Sequence, residues 1–114
     1  MKALLALALI LSGTCVTAAD TQDPDVNRVF DRNKGAIYAI YTRALRDNPR
    51  LAGKVIFDFD IATSGDVTAC RVQSSKLDAP DVERKICARI ALMKFSPRDA
   101  TFTATKTVEF VSAL

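Results

Sequence analysis

The 114-residue chain contains no histidine. Its absence removes the side chain most often used as general base near neutral pH, and the commonest partner for a metal-binding thiol. No Gly-x-Ser-x-Gly nucleophile turn occurs either. Proline-rich spacers, low-complexity tracts and internal repeats are missing, so nothing divides the chain into more than one domain. The continuous apolar run Ala3 to Leu11 is about half the roughly 20 residues a spanning helix needs. A net charge of +3 is too small for the electrostatic footprint of a nucleic-acid binder. What is present is ordinary globular material, 49% apolar and 25% charged.

The first residues read as a targeting segment. Met1-Lys2 is a minimal positive region, Ala3 to Leu11 the apolar stretch, and Ser12 to Ala19 a run of small residues. Val16-Thr17-Ala18 and Thr17-Ala18-Ala19 offer the small-x-small cleavage pattern. Residues 1–19 are therefore expected to be a secretory signal peptide. Residues 20–24 would be a short polar entry and residues 25–114 the folded domain. The rival reading is a lipidated Cys15, but Thr14 breaks the lipoprotein pattern begun by Leu11-Ser12-Gly13. Losing Lys2 with the leader leaves 15 of the 16 Lys+Arg against 13 Asp+Glu, a net charge of +2. Cys70 and Cys87 then remain, an even pair in a compartment where disulfides persist, and a structural disulfide between them is expected.

The strongest local signal is alternation. Val55, Phe57, Phe59 and Ile61 alternate with Lys54, Ile56, Asp58 and Asp60, the period of a strand with one apolar face. Thr63, Ser64, Gly65 and Asp66 make a turn, and a second strand begins at Val67. Ahead of this hairpin, Asp23-Pro24 reads as an N-cap and first helical residue. Val26, Val29, Phe30, Ile37, Ile40, Tyr41, Ala44 and Leu45 then recur at helical spacing to about Asn48, before Pro49. Arg28, Arg32, Arg43, Arg46 and Arg50 fall on the opposite side and read as a solvated face. Gly35 inside this helix costs about 1 kcal/mol relative to Ala, as a close approach or as a tolerated residue.

Beyond the hairpin, Asp78 is expected to cap a second helix, with Pro80 in its first turn. Val82, Ile86, Ile90 and Met93 form its stripe as far as about Lys94, with Phe95 as a core plug. Thr103 to Val111 is dense in β-branched residues and reads as the last strand. Lys106 interrupts its face of Phe102, Ala104, Val108 and Phe110, and such a charge is how edge strands discourage pairing. The last strand is thus the candidate open edge. The expected fold is α+β: helix, strand, strand, helix, strand, with two helices on one face of a three-stranded antiparallel sheet.

With these elements placed, the chain resembles the AgmX/PglI C-terminal domain family, a branch of the TonB C-terminal-like domains. The stretch from Val29 to Tyr38 (VFDRNKGAIY) carries the resemblance, with Tyr41 to Pro49 (YTRALRDNP) and Gly53-Lys54-Val55. Gly65 to Cys70, Ser74-Ser75 and Glu83-Arg84-Lys85-Ile86 complete it, so that it runs from about Asn27 to Phe110. The resemblance implies a role in periplasmic protein contacts, with an envelope protein as partner, by pairing a strand edge with an extended peptide. By analogy Thr103, Thr105, Lys106, Thr107 and Glu109 are the partner-binding edge. The departure is the leader, where energy-transducing members carry an uncleaved membrane helix and a long spacer. Residues 20–25, at about 3.5 Å each, would not bridge a periplasm.

The expected function is a periplasmic interaction module, an adaptor or accessory subunit of a cell-envelope complex. The alternatives are a structural homodimer and, should the leader stay uncleaved, a membrane-tethered component like the energy transducers. Asp58 and Asp60 share a strand face and make paired acid/base chemistry conceivable, but nothing in the sequence builds a pocket around them. No enzymatic activity, cofactor, metal, nucleic acid or small-molecule substrate is expected. Mass spectrometry of the mature protein should find a free N-terminus at Ala19 or Asp20; a lipid-modified Cys15 would contradict this reading.

Overall fold

A computed structural model describes residues 20–112. The expected signal peptide, with Cys15, lies outside the described residues. Five elements follow in the expected order: α1 (Pro24–Ala44), β1 (Gly53–Ile61), β2 (Val67–Ser75), α2 (Pro80–Ile90) and β3 (Phe102–Phe110). The strands form one antiparallel sheet in the order β2-β1-β3, so β1 is central and the other two are its edges.

The alternation in β1 organises the core. Val55, Phe57, Phe59 and Ile61 are fully buried and lie under both helices, among Val26, Phe30, Ile37, Ile86 and Ile90. Phe59 stacks between Phe30 at 6.1 Å and Phe95 at 5.9 Å, so the expected plug at Phe95 is in place. The turn between β1 and β2 is closed by Ala62 N–H donating to Asp66 O and Gly65 N–H to Ala62 O. Gly65 has φ 94°, and a Cβ there would sit 2.0 Å from Phe95 O, so only glycine lets the turn dock on that segment. Gly35, by contrast, has nothing within 4 Å of its absent Cβ. It is tolerated and permits no close approach.

Asp23 caps α1 as expected, accepting from Val26 N–H at 3.0 Å. The helix ends at Ala44, earlier than Asn48. Asp47 and Asn48 both donate their N–H groups to Ala44 O at 3.1 Å, which tightens the last turn and reverses the chain toward β1. The Tyr41 hydroxyl donates to Leu51 O at 2.6 Å and pins that return, and burial pushes its pKa up.

The second helix corrects the expected cap. Asp78 takes a left-handed φ of 55° and Ala79 is the N-cap, without a side-chain bond. The Glu83 carboxylate fills the role, accepting from Ala79 N–H at 3.2 Å and from the Ser75 hydroxyl at 2.6 Å. The carboxylate reaches back to the N-cap amide as in a capping box, but from N4 instead of N3. Pro80 sets the start one residue later than Asp78 would have, and α2 ends at Ile90, short of Lys94. Met93 is buried as expected but lies past the helix.

Cys70 of β2 and Cys87 of α2 are bonded, with Cα atoms 5.5 Å apart and a sequence separation of 17. The bond ties an outer strand to the helix above it. Replacing both cysteines by alanine is expected to lower the unfolding free energy by about 2–4 kcal/mol in denaturant titration. Alkylation of the unsubstituted protein under denaturing, non-reducing conditions should label neither residue.

Candidate functional site

Successive residues of a strand turn their main-chain groups to opposite sides. On β3 the outward row is defined by Thr105 and Thr107, whose amides meet groups that are not part of the sheet. By the same period Thr103 and Glu109 face outward, so four of the five expected site residues share one row. Their hydroxyls do separate work on the open face of the sheet. Thr103 donates to Asp60 at 2.8 Å and Thr105 to Asp58 at 2.7 Å.

Those two aspartates are structural. Asp58 also accepts from Gln73 Nε2 at 3.0 Å, and Asp60 takes a two-pronged contact from Arg71 at 3.1 and 3.2 Å. Each carboxylate therefore links β1 to β2 on one side and to β3 on the other. The Arg71 guanidinium holds the Asp60 carboxyl below the usual carboxylate range. This is the reverse of what a general acid needs.

Lys106 does not stand as a bare charge on an open edge. Its side chain turns inward and is only 13% exposed. The ammonium donates to Asn27 Oδ1 at 2.8 Å, lies 5.5 Å from the centre of the Phe30 ring and 3.9 Å from Asp20 Oδ2. Aromatic face, amide and carboxylate together give a partly buried ammonium partners in place of the water it loses.

Asp20 and Thr21 were not singled out in the sequence, yet they occupy part of this edge. Thr21 N–H donates to Thr105 O, Thr105 N–H to Thr21 Oγ1 and Thr107 N–H to Asp20 Oδ1, each at 2.8 Å. Residue number rises along this segment as it falls along β3, so the segment runs antiparallel to the strand. The polar entry is thus a short addition to the sheet. No periodicity marks it, because two residues are too few to show a pattern.

The covering stops at Thr107. Among the described residues nothing meets Thr107 O or the Glu109 N–H, while Glu109 O accepts from the Tyr38 hydroxyl at 2.9 Å. Beside this stretch a groove of about 200 Å³ opens between β3 and α1, lined by Phe30, Lys34, Ile37, Tyr38 and Val108 among others. Tyr38, one of its lining residues, is 39% exposed.

The opposite edge is barer. Asp58 pairs with Arg71 and Asp60 with Ala69, which leaves the main-chain groups of Cys70 and Val72 directed away from β1. Among the described residues none of them has a hydrogen-bond partner. Elsewhere, a cleft of about 480 Å³ lies between the end of α1 and the start of α2, over Ile40, Ala44, Leu51 and Val82, with Arg43 and Lys85 at its rim. None of the five expected site residues lines it. The arginine face of α1 is exposed throughout, with Arg28 paired to Asp25.

No protein-family model matches the chain, and no curated protein does. Its structure is similar to the solution NMR structure of the Pseudomonas aeruginosa TonB CTD, with a TM-score of 0.53 and 23% identity. The match covers 65% of this chain and 78% of that one. At that identity the likeness establishes the fold. The chain has the α+β fold of the TonB C-terminal type, with two helices and a three-stranded antiparallel sheet, as expected from the sequence.

The segment on β3 is anchored by carboxylates. Asp23 is held below the usual range chiefly by its hydrogen bonds from Arg98, at 3.1 and 3.2 Å. Asp25 is held low chiefly by the Ser96 amide, at 2.9 Å. A depressed folded-state pKa contributes stability above the unfolded value and loses it as pH falls through the folded one. The thermal midpoint is therefore expected to drop as pH falls below about 4. The variant D23N/D25N should show a flatter acid limb, and a slope identical to that of the unsubstituted protein would contradict the assignment.

Proposed function

We propose that the protein is a periplasmic protein–protein interaction module, an adaptor or accessory subunit of a cell-envelope complex. It takes its partner by adding an extended segment to the outer edge of β3. The observation that carries this reading is the outward row of Thr103, Thr105, Thr107 and Glu109 on an edge strand whose outer margin is covered, among the described residues, only by Asp20 and Thr21 and only as far as Thr107. Such an edge supplies main-chain hydrogen bonds for affinity and alternate side-chain positions for selectivity. The TonB-type fold supports an envelope role, and the Cys70–Cys87 bond supports an oxidising compartment reached once residues 1–19 are removed. Within that fold, the motif blocks from Val29 to Ile86 favour the AgmX/PglI branch.

A second reading, a homodimer formed edge to edge, is favoured by the bare main chain of β2 at Cys70 and Val72. Light scattering on the mature protein separates the two, because a monomer at working concentration removes the second.

Photo-crosslinkers placed at Thr105 and Thr107 in cells are expected to trap one discrete envelope protein. Crosslinking no different from that at exposed control positions on α1, such as Arg32, would count against partner binding at this edge.

A further inference from the structure

The two ends of the sheet treat charge differently. Toward the β1–β2 turn, cations are matched: Lys94 meets Asp66, Arg71 meets Asp60, Arg98 meets Asp23 and Arg28 meets Asp25. At the opposite end α1 and β2 finish and β1 and α2 begin. That end carries Arg43, Arg46, Arg50, Lys54, Lys76 and Lys85, and among the described residues none of these side chains has an ion pair. The carboxylates left without a partner there are fewer, namely Asp47, Asp78 and Glu109. Unmatched positive charge is in excess at this end.

The cleft of about 480 Å³ opens at the same end, and its volume lies within the roughly 300–1,000 Å³ of small-molecule sites. Ile40, Ala44, Ala79 and Val82 line it half-buried, with Leu51 more deeply buried among them. Arg43 of α1 and Lys85 of α2 supply its cations. Of its two carboxylates, Asp81 is taken up by Arg84, and Asp47 stays unpaired among the described residues. An apolar wall and a cationic rim thus share one opening. A small anion alone would leave the wall in water, and a purely apolar molecule would gain nothing from Arg43 or Lys85. A ligand with both parts uses both.

We propose that this cleft binds a single-chain anionic amphiphile of the fatty-acid kind. Its acyl chain lies along Ile40, Ala44 and Val82, and its acidic head is held by Arg43 and Lys85. Asp47 opposes the head from the same cleft and is outweighed by these two cations, with Arg46 and Arg50 adding attraction at longer range. None of the residues that carry the site belongs to β3, so the site stands or falls independently of strand pairing at that edge.

NMR titration of the isotopically labelled mature protein tests this with decanoate, decyltrimethylammonium and acetate, the first two kept below micelle formation. Decanoate is expected to shift the signals of Ile40, Leu51 and Val82 and to bind about tenfold or more tighter than either of the others. The variant R43Q/K85Q changes two exposed side chains that hold nothing else in the described fold. It should keep a dispersed spectrum and lose about tenfold in affinity for decanoate, with no loss for decyltrimethylammonium. Equal binding of decanoate and decyltrimethylammonium would reduce the cleft to an unselective apolar surface and overturn the proposal. Acetate binding as tightly as decanoate would overturn it too, as would shifts centred on Leu92 or Val111. Unchanged decanoate affinity in the variant, or no shift at all, would do the same.

Discussion

The structure depends on one strand with two incompatible faces. β1 buries Val55, Phe57, Phe59 and Ile61 completely on one side and carries Asp58 and Asp60 on the other. The apolar face demands a cover, and at about 25 cal/mol per Å² of buried apolar surface the two helices supply the main favourable term. The polar face cannot be covered in the same way. It is instead tied laterally, each aspartate bonding one residue of β2 and one threonine of β3. A one-residue slip of β1 would bury both carboxylates and expose two phenylalanines, so the alternation fixes the register of both neighbours.

A three-stranded sheet with its strongest strand in the middle has two weak margins, and the protein treats them differently. β2 is fastened to α2 by the Cys70–Cys87 bond and by the Ser75–Glu83 contact, yet among the described residues its outward main chain at Cys70 and Val72 has no partner. β3 is fastened by Lys106, which reaches inward to Asn27, and by Tyr38, which reaches across to Glu109 O. Part of its outward main chain is closed by the segment that precedes α1. That closure is held in place by the α1 cap itself. Asp23 serves the helix and Arg98 together, so the residues that start the helix also hold Asp20 and Thr21 against the strand.

Much of this was legible in the sequence, for local reasons. The period of two in β1, the Asp23-Pro24 start, the spacing of the α1 stripe and the pairing of Cys70 with Cys87 all declare themselves within a few residues or by elimination. The failures share a cause. Asp78 looked like a cap because it precedes a helix, but Pro80 and the reach of Glu83 moved the cap to a main-chain amide. Lys106 looked like a gatekeeper because it breaks an apolar face, but its ammonium is satisfied by residues about 80 positions away. Asp20 and Thr21 read only as part of a short polar entry because their partners are on the last strand. What the sequence did not disclose is long-range polar pairing, which has no period.

The same distinction bears on what the β3 edge would need in order to work as proposed. An added strand gains little from hydrogen bonds as such, because each replaces one made to water and nets on the order of 1 kcal/mol. Selectivity therefore has to come from side chains that leave water at the same time. On the Thr103–Thr105 stretch the outward residues are threonines already bonded to aspartates, and the inward Lys106 is already paired. Neither offers an unfilled apolar volume. At Thr107–Glu109 an acceptor and a donor without partners among the described residues lie beside a small groove lined by Phe30, Lys34, Ile37 and Tyr38. The segment at Asp20–Thr21 closes the other half of the edge with the chain's own hydrogen bonds, so any strand added there would first have to displace it.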